Sequence, residues 1–192
     1  MTARDRDRLL TLLRERSWVK GPVVLSSGKS SNFYIDCKQT TFSSEGAFIT
    51  GELVYAHIRE LRSRGVVISA VGGITLGADP IAVAAAVASW RYREPVEAFT
   101  IRKDPKVHGT GQWIEGARRL RPETPVLIVE DVITTGASTL KAVERARDSG
   151  LKPVAVWAMV DRLEGGNEQV TQLGLHFFSL FTRDDFVDEL RP

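Results

Sequence analysis

From residue 66 onward, short runs of β-branched apolar residues alternate with stretches of helical spacing. Residues 66–71 form one such run, ended by Gly72 and Gly73, and an alanine-rich helical stretch follows at 81–90. Residues 96–101, 125–129, 154–160 and 175–180 repeat the strand pattern, with a second helical stretch at 137–147. Strands apolar on both sides and separated by helices are what a parallel sheet covered on both faces requires. The rhythm predicts an α/β chain built on a central, mostly parallel sheet flanked by helices. Its 192 residues suffice for one core of this kind and fall short of two ordinary domains, so a single domain over 1–192 is expected.

Upstream, Leu9, Leu10, Leu12 and Leu13 among charged residues predict an amphipathic N-terminal helix closed by the turn signal Lys20-Gly21-Pro22. Two extended pieces follow at 23–25 and 33–35, parted by the Ser/Gly stretch 26–31. A helix is then expected from an N-cap at Ser44 to a stop at Gly65, and a polar tail after residue 180. The first sixteen residues are too charged for the apolar centre of a secretion signal. The longest apolar stretch, 81–88, is far below the roughly 20 residues that span a bilayer. Twenty-six basic against 24 acidic residues leave a net charge of +2, which gives no reason to expect nucleic-acid or membrane attraction. The single Cys37 cannot close an intrachain disulfide, and a soluble, cytoplasmic protein is expected.

Ligands of open parallel sheets bind beyond the carboxyl ends of the strands, so the strand exits carry the functional information. At 126–138, an apolar strand runs into Glu130 and Asp131 and then into Val132-Ile133-Thr134-Thr135-Gly136-Ala137-Ser138, which opens a helix. Backbone N–H groups at a helix start, aided by hydroxyls and the helix dipole, make a phosphate cradle. Two carboxylates beside a phosphate suit hydrogen bonds from vicinal sugar hydroxyls, although by residue type alone the same acids could cap the helix. Neither common nucleotide loop is present. Gly28-Lys29-Ser30 has Val23 where a Walker loop needs glycine, and no Gly-x-Gly-x-x-Gly follows a strand. At 102–111, Arg102, Lys103, Lys106 and His108 stand with two glycines on a long polar loop, suited either to a polyanionic leaving group or to a solvated basic surface.

The 126–138 segment resembles the 5-phosphoribosyl-1-diphosphate (PRPP) signature of the type I phosphoribosyltransferases. The loop Arg102-Lys103-Asp104-Pro105-Lys106-Val107-His108-Gly109 is similar to the catalytic loop of the orotate phosphoribosyltransferases in particular. Ser27-Gly28 leading to Phe33-Tyr34-Ile35 resembles their base-recognition segment, and Asp161-Arg162-Leu163-Glu164-Gly165 their Asp-Arg-x-Glu-Gly loop. The resemblance runs from about residue 25 to 166, with four motifs in order. It implies the type I phosphoribosyltransferase fold, with residues 1–40 contributing a small N-terminal hood over the base. It implies that Glu130 and Asp131 hold ribose hydroxyls and that residues 132–138 bind the 5-phosphate. Lys103 is implied to contact diphosphate within its own subunit, and Arg102, Lys106 and His108 to act on the neighbouring subunit's site, hence a homodimer. Thr134, Tyr34 and Ile35 are implied base contacts, and Arg162 the partner of the orotate carboxylate. The sequence departs from the family at Ser26, where many members have Lys, and at 73–77, which lacks an aromatic-Lys pair. There the diphosphate contact is left to Thr75 and backbone N–H groups.

Three residue types receive structural assignments. His57, His176 and Cys37 have no ligand-spaced or catalytic neighbours, and Trp18, Trp90 and Trp157 are expected to fill core or interface. No cluster has metal-site spacing, and the resemblance implies Mg²⁺ arriving with PRPP. The expected activity is transfer of phosphoribosyl from PRPP to orotate. The alternatives are a purine or uracil enzyme of the same fold, or a PRPP-sensing regulator.

Overall fold

The computed structural model describes residues 3–24, 30–104 and 113–187. Leu9, Leu12 and Leu13 lie on one buried face of helix α1 (Ala3–Arg16), as their spacing requires. Strands β1 (Trp18–Val24) and β2 (Ser30–Ile35) pair antiparallel as a separate two-stranded sheet. The chain then passes through the one-turn helix α2 (Lys38–Thr41) into α3 (Ser44–Ser63). The main body follows as β3 (Ala70–Ile74), α4 (Ala78–Arg91), β4 (Glu97–Ile101), β5 (Ile114–Glu115), β6 (Pro125–Ile133), α5 (Ala137–Asp148), β7 (Lys152–Asp161), α6 (Gly166–Gln172), β8 (His176–Thr182) and α7 (Asp184–Val187).

The main sheet has the order β5-β4-β3-β6-β7-β8, parallel throughout except for the short antiparallel β4–β5 pair. Successive side chains of a strand point to opposite faces. Accordingly Leu127 and Val129 join the cluster containing Leu9, Leu53 and Ile81, while Val126 and Ile128 join Ala142, Val143 and Val170 on the other face. The expected parallel sheet buried on both faces is thus what forms. From β3 the chain crosses over to β4 on one side, and from β6 to β7 on the other, so the order reverses between β3 and β6. Open parallel sheets bind their ligands at such a reversal, at the carboxyl ends of the strands.

Several boundaries differ from expectation for physical reasons. Gly21 and Pro22 do not end the N-terminal unit; they sit within β1, where pairing to β2 shifts between Lys20 and Val23 and Gly21 adopts a φ of 101°. The N-cap of α3 is Ser43 rather than Ser44, and its hydroxyl accepts the Gly46 N–H at 3.2 Å. Gly72 and Gly73 lie inside β3 rather than ending it. A Cβ on Gly72 would meet the Phe99 carbonyl at 2.3 Å, and one on Gly73 the Val129 carbonyl at 2.1 Å, so close packing and not a turn demands glycine there. Trp18 and Trp157 are buried in the core, and Trp90, 62% exposed, lies outside it.

The expected polar tail carries α7, whose Phe186 is completely buried. Its ring sits 6.1 Å from Trp18, 5.8 Å from Phe33 and 6.3 Å from Phe181, and so joins β1 and β2 to the main body. Phe186→Ala should destabilise the protein by about 3–5 kcal/mol. Urea unfolding of the variant measures this; a midpoint unchanged from the parent would refute the joining role.

Candidate active site

The nine residues of β6 run past the apolar segment and carry both acids to the strand exit. Neighbours on a strand alternate, so Glu130 and Asp131 have different surroundings although their carboxyl groups still touch. Glu130 lies against α5, only 7% exposed, and its Oε2 accepts hydrogen bonds from Ser138 Oγ at 3.0 Å and Thr139 Oγ1 at 3.1 Å. Burial, followed by the adjacent charge of Asp131, pushes its carboxyl up to about 7. Asp131 is half-buried on the other face, with Oδ1 accepting the Val132 N–H at 2.9 Å. A Cβ on Gly77 would fall 2.4 Å from the Asp131 carboxyl carbon, so only glycine lets the loop after β3 come this close. The two acids are therefore not equivalent. Asp131 faces the loop after β3, while one oxygen of Glu130 is already engaged by α5.

After β6 the backbone turns at Gly136, whose φ is 84° and whose missing Cβ would stand 3.2 Å from the Gly166 Cα. With glycine at the cap position of α5, no side chain caps the first N–H groups, which in any helix lack intrahelical partners. Residues 134–138 thus present donors and a positive dipole end, the elements of an anion cradle. Ile133 is buried in the core and Val132 is half-buried against it, which leaves their backbone groups as the part open to a ligand.

The loop after β3 corrects one expectation. Thr75 donates its hydroxyl to Asp79 Oδ2 at 2.6 Å and its N–H to the Ile101 carbonyl at 2.9 Å, so neither proton is directed at a ligand. Thr100 also donates to Asp79, which ties this loop to β4.

At the β4 exit, Arg102 turns toward Glu115, with Nη1 3.4 Å from Oε1. Lys103 lines a cleft of about 320 Å³ with Ile74, Ala137, Ser138, Lys141 and Arg145, beside the first turn of α5. Lys106 and His108 lie outside the described residues, as does the Ser26 to Lys29 part of the base segment.

At the β7 exit, the Arg162 N–H donates to the Ile133 carbonyl at 3.0 Å, which places this loop next to the acid-bearing strand. The Arg162 guanidinium lies 5.7 Å over the Phe33 ring and pairs with Glu164 at 2.8 Å. Tyr34 is exposed, but Ile35 packs in the core. Adjacent strand residues cannot both turn their side chains to one ligand, so of the expected pair only Tyr34 offers a side chain, and Ile35 is corrected to a core residue. Sequence reading missed Phe33 beneath Arg162, and the alternation of β2 was the available signal. Cys37, expected to be structural, is buried with Sγ 3.7 Å from the Asp131 carbonyl oxygen to which it donates. Burial pushes that thiol well up, which removes it as a nucleophile.

A strand-order reversal, an acid pair feeding an uncapped helix start, and a small two-stranded sheet alongside fit the type I phosphoribosyltransferase fold that the sequence resemblance implies. No family model matches the chain. It is 45% identical over 190 residues to the orotate phosphoribosyltransferase of Sorangium cellulosum (strain So ce56), covering 99% of this chain and 97% of that one. Mycobacterium tuberculosis H37Rv orotate phosphoribosyltransferase, solved in complex with Fe(III) dicitrate, superposes with a TM-score of 0.80 at 39% identity, covering 95% of this chain and 98% of that one. The same enzyme in complex with PRPP gives a TM-score of 0.76 at 37% identity over the same shares. The chain belongs to the orotate phosphoribosyltransferase family.

A carboxyl raised in the folded state favours folding below its unfolded value, and that contribution is lost as pH rises through about 7. Glu130→Gln keeps an acceptor for Ser138 and Thr139 without the charge. Its stability relative to the parent should therefore rise between pH 5 and pH 8, by on the order of 1 kcal/mol or more, in paired urea titrations. A relative stability independent of pH would show that Glu130 is ionised throughout.

Proposed function

We propose that this chain is an orotate phosphoribosyltransferase that transfers phosphoribosyl from PRPP to N1 of orotate, giving orotidine 5-phosphate and diphosphate in de novo UMP synthesis. The observation that carries the reading is the position of Arg162, stacked over Phe33 and bonded through its backbone to Ile133, next to the acid pair. A planar guanidinium matches a carboxylate, which orotate has and which purines and uracil lack. The orotate carboxylate takes the place of Glu164 on Arg162, which Phe33 supports from beneath, Tyr34 bounds the base, and Thr134 reaches it from the phosphate turn.

In this reading Asp131 and the remaining oxygen of Glu130 accept hydrogen bonds from the ribose hydroxyls, and residues 132–138 hold the 5-phosphate. As N1 bonds to the anomeric carbon, the bond from that carbon to the diphosphate oxygen breaks, its electron pair leaves with diphosphate, and the N1 proton is released. Displacement at an anomeric centre passes through an oxocarbenium-like state, which the nearby carboxylates stabilise. Lys103, Arg102, Lys106 and His108 neutralise the departing diphosphate.

Among the described residues no group of three His, Cys, Asp or Glu can hold a metal ion. One outward carboxylate, Asp131, suits a divalent ion that is coordinated mainly by substrate oxygens and water. Mg²⁺ bound with PRPP supplies further charge neutralisation at the diphosphate.

The reading includes a homodimer in which Arg102, Lys106 and His108 serve the neighbouring site, and a single domain over 1–192 with residues 1–40 as its hood. Supporting association, Phe48, Val83 and Val87 flank an apolar groove of about 570 Å³ between α3 and α4, and each is more than half exposed. Apolar patches of this kind mark interaction surfaces. Among the described residues no helix is long and apolar enough to cross a membrane, and a cytoplasmic location fits the buried lone thiol.

Loss of orotate absorbance with purified protein, PRPP and Mg²⁺ together, and with none of them omitted, is the expected result. Turnover of a purine or uracil in place of orotate would discard the base assignment. Arg162→Ala should lower kcat/KM for orotate roughly 100-fold, mostly through KM. For the dimer, Val87→Glu should shift the sedimenting species toward monomer; a parent protein already monomeric at micromolar concentration would refute this interface.

A further inference from the structure

Arg145 belongs to none of the motifs, yet it contacts both chain segments that flank residues 105–112. It stands on α5 eight residues after Ala137, on the same helical face as Ala137 and Lys141. Its Nη1 donates to the Arg102 carbonyl at 2.9 Å, and its guanidinium lies 4.0 Å from the centroid of the Trp113 indole. Arg102 and Trp113 are themselves paired, with the Arg102 N–H donating to the Trp113 carbonyl at 2.9 Å. The same side chain lines the cleft that Lys103 shares with Ala137 and Ser138. A partly buried cation seated on an indole face and on a backbone carbonyl is held in one orientation.

We propose that Arg145 is a positioning residue for the transfer reaction: it fastens Arg102 and Trp113 to α5 and so aims Lys103 at a diphosphate bound beside the phosphate turn of that helix. This rests on the assignment of Lys103 as a diphosphate contact made above. The role needs the planar fork. A lysine keeps the positive charge near the cleft, but it cannot both lie flat on Trp113 and donate to the Arg102 carbonyl. Arg145 thereby makes one helix serve both ends of PRPP, the 5-phosphate through its N-terminal N–H groups and the diphosphate through the direction of Lys103.

Steady-state kinetics of Arg145→Lys, Arg145→Ala, Lys103→Ala and the Arg145→Ala/Lys103→Ala double variant test this, with thermal melting of each. Both Arg145 variants should lose at least about 10-fold in kcat/KM for PRPP, keep the parent KM for orotate, and melt within a few degrees of the parent. The double variant should be no worse than Lys103→Ala, because residues acting through one another are not additive. Multiplying losses, or normal activity in Arg145→Lys, would overturn the proposal, the latter by showing that charge alone suffices. Losses that track the melting temperature would reduce Arg145 to a stabilising role. A nearly normal Lys103→Ala would instead refute the assignment of Lys103 itself, and that result is separable because it appears in the single variant.

Discussion

Strand β6 is bonded to β3 along one edge and to β7 along the other, and its residues Val126, Leu127, Ile128 and Val129 are at most 1% exposed. A strand held on both edges and both faces has no low-energy way to shift, because a slip of one residue would send every side chain to the wrong face. Glu130 and Asp131 are the next two residues of that strand. Their placement at the strand exit, and the point at which the chain must turn into α5, follow from a register fixed by burial further back.

That constraint also explains the electrostatics. The face of β6 that carries Glu130 is covered by α5, so its carboxyl must be buried, and the hydroxyls of Ser138 and Thr139 offset part of the desolvation. Asp131 faces a loop brought close by Gly77 and remains partly in contact with solvent. Paired acids in a linear motif look alike. Their surroundings make one a buried, readily protonated group and the other a partly exposed carboxylate.

Much of this was legible in the sequence, because it depended on local pattern. The parallel sheet followed from apolar runs, and the turn into α5 from glycine and hydroxyls at a helix start. What was missed depended on contacts between distant segments. Gly72 and Gly73 look like a strand end, yet they are glycine because Phe99 and Val129 come from neighbouring strands. Thr75 looked available for a ligand until Asp79 and the Ile101 carbonyl took its protons. Ile35 was read together with Tyr34 although strand alternation forbids a shared side, and Arg145 carries no local signature because both of its partners lie in another loop.

Phe186 packs on Phe33, and Phe33 lies beneath Arg162. Phe33, which Arg162 overlies, therefore rests on a ring from α7, so the two-stranded sheet, the β7 exit and α7 pack as one unit. Loosening α7 would be felt at the Arg162 guanidinium, through one aromatic ring, and not only where α7 itself lies.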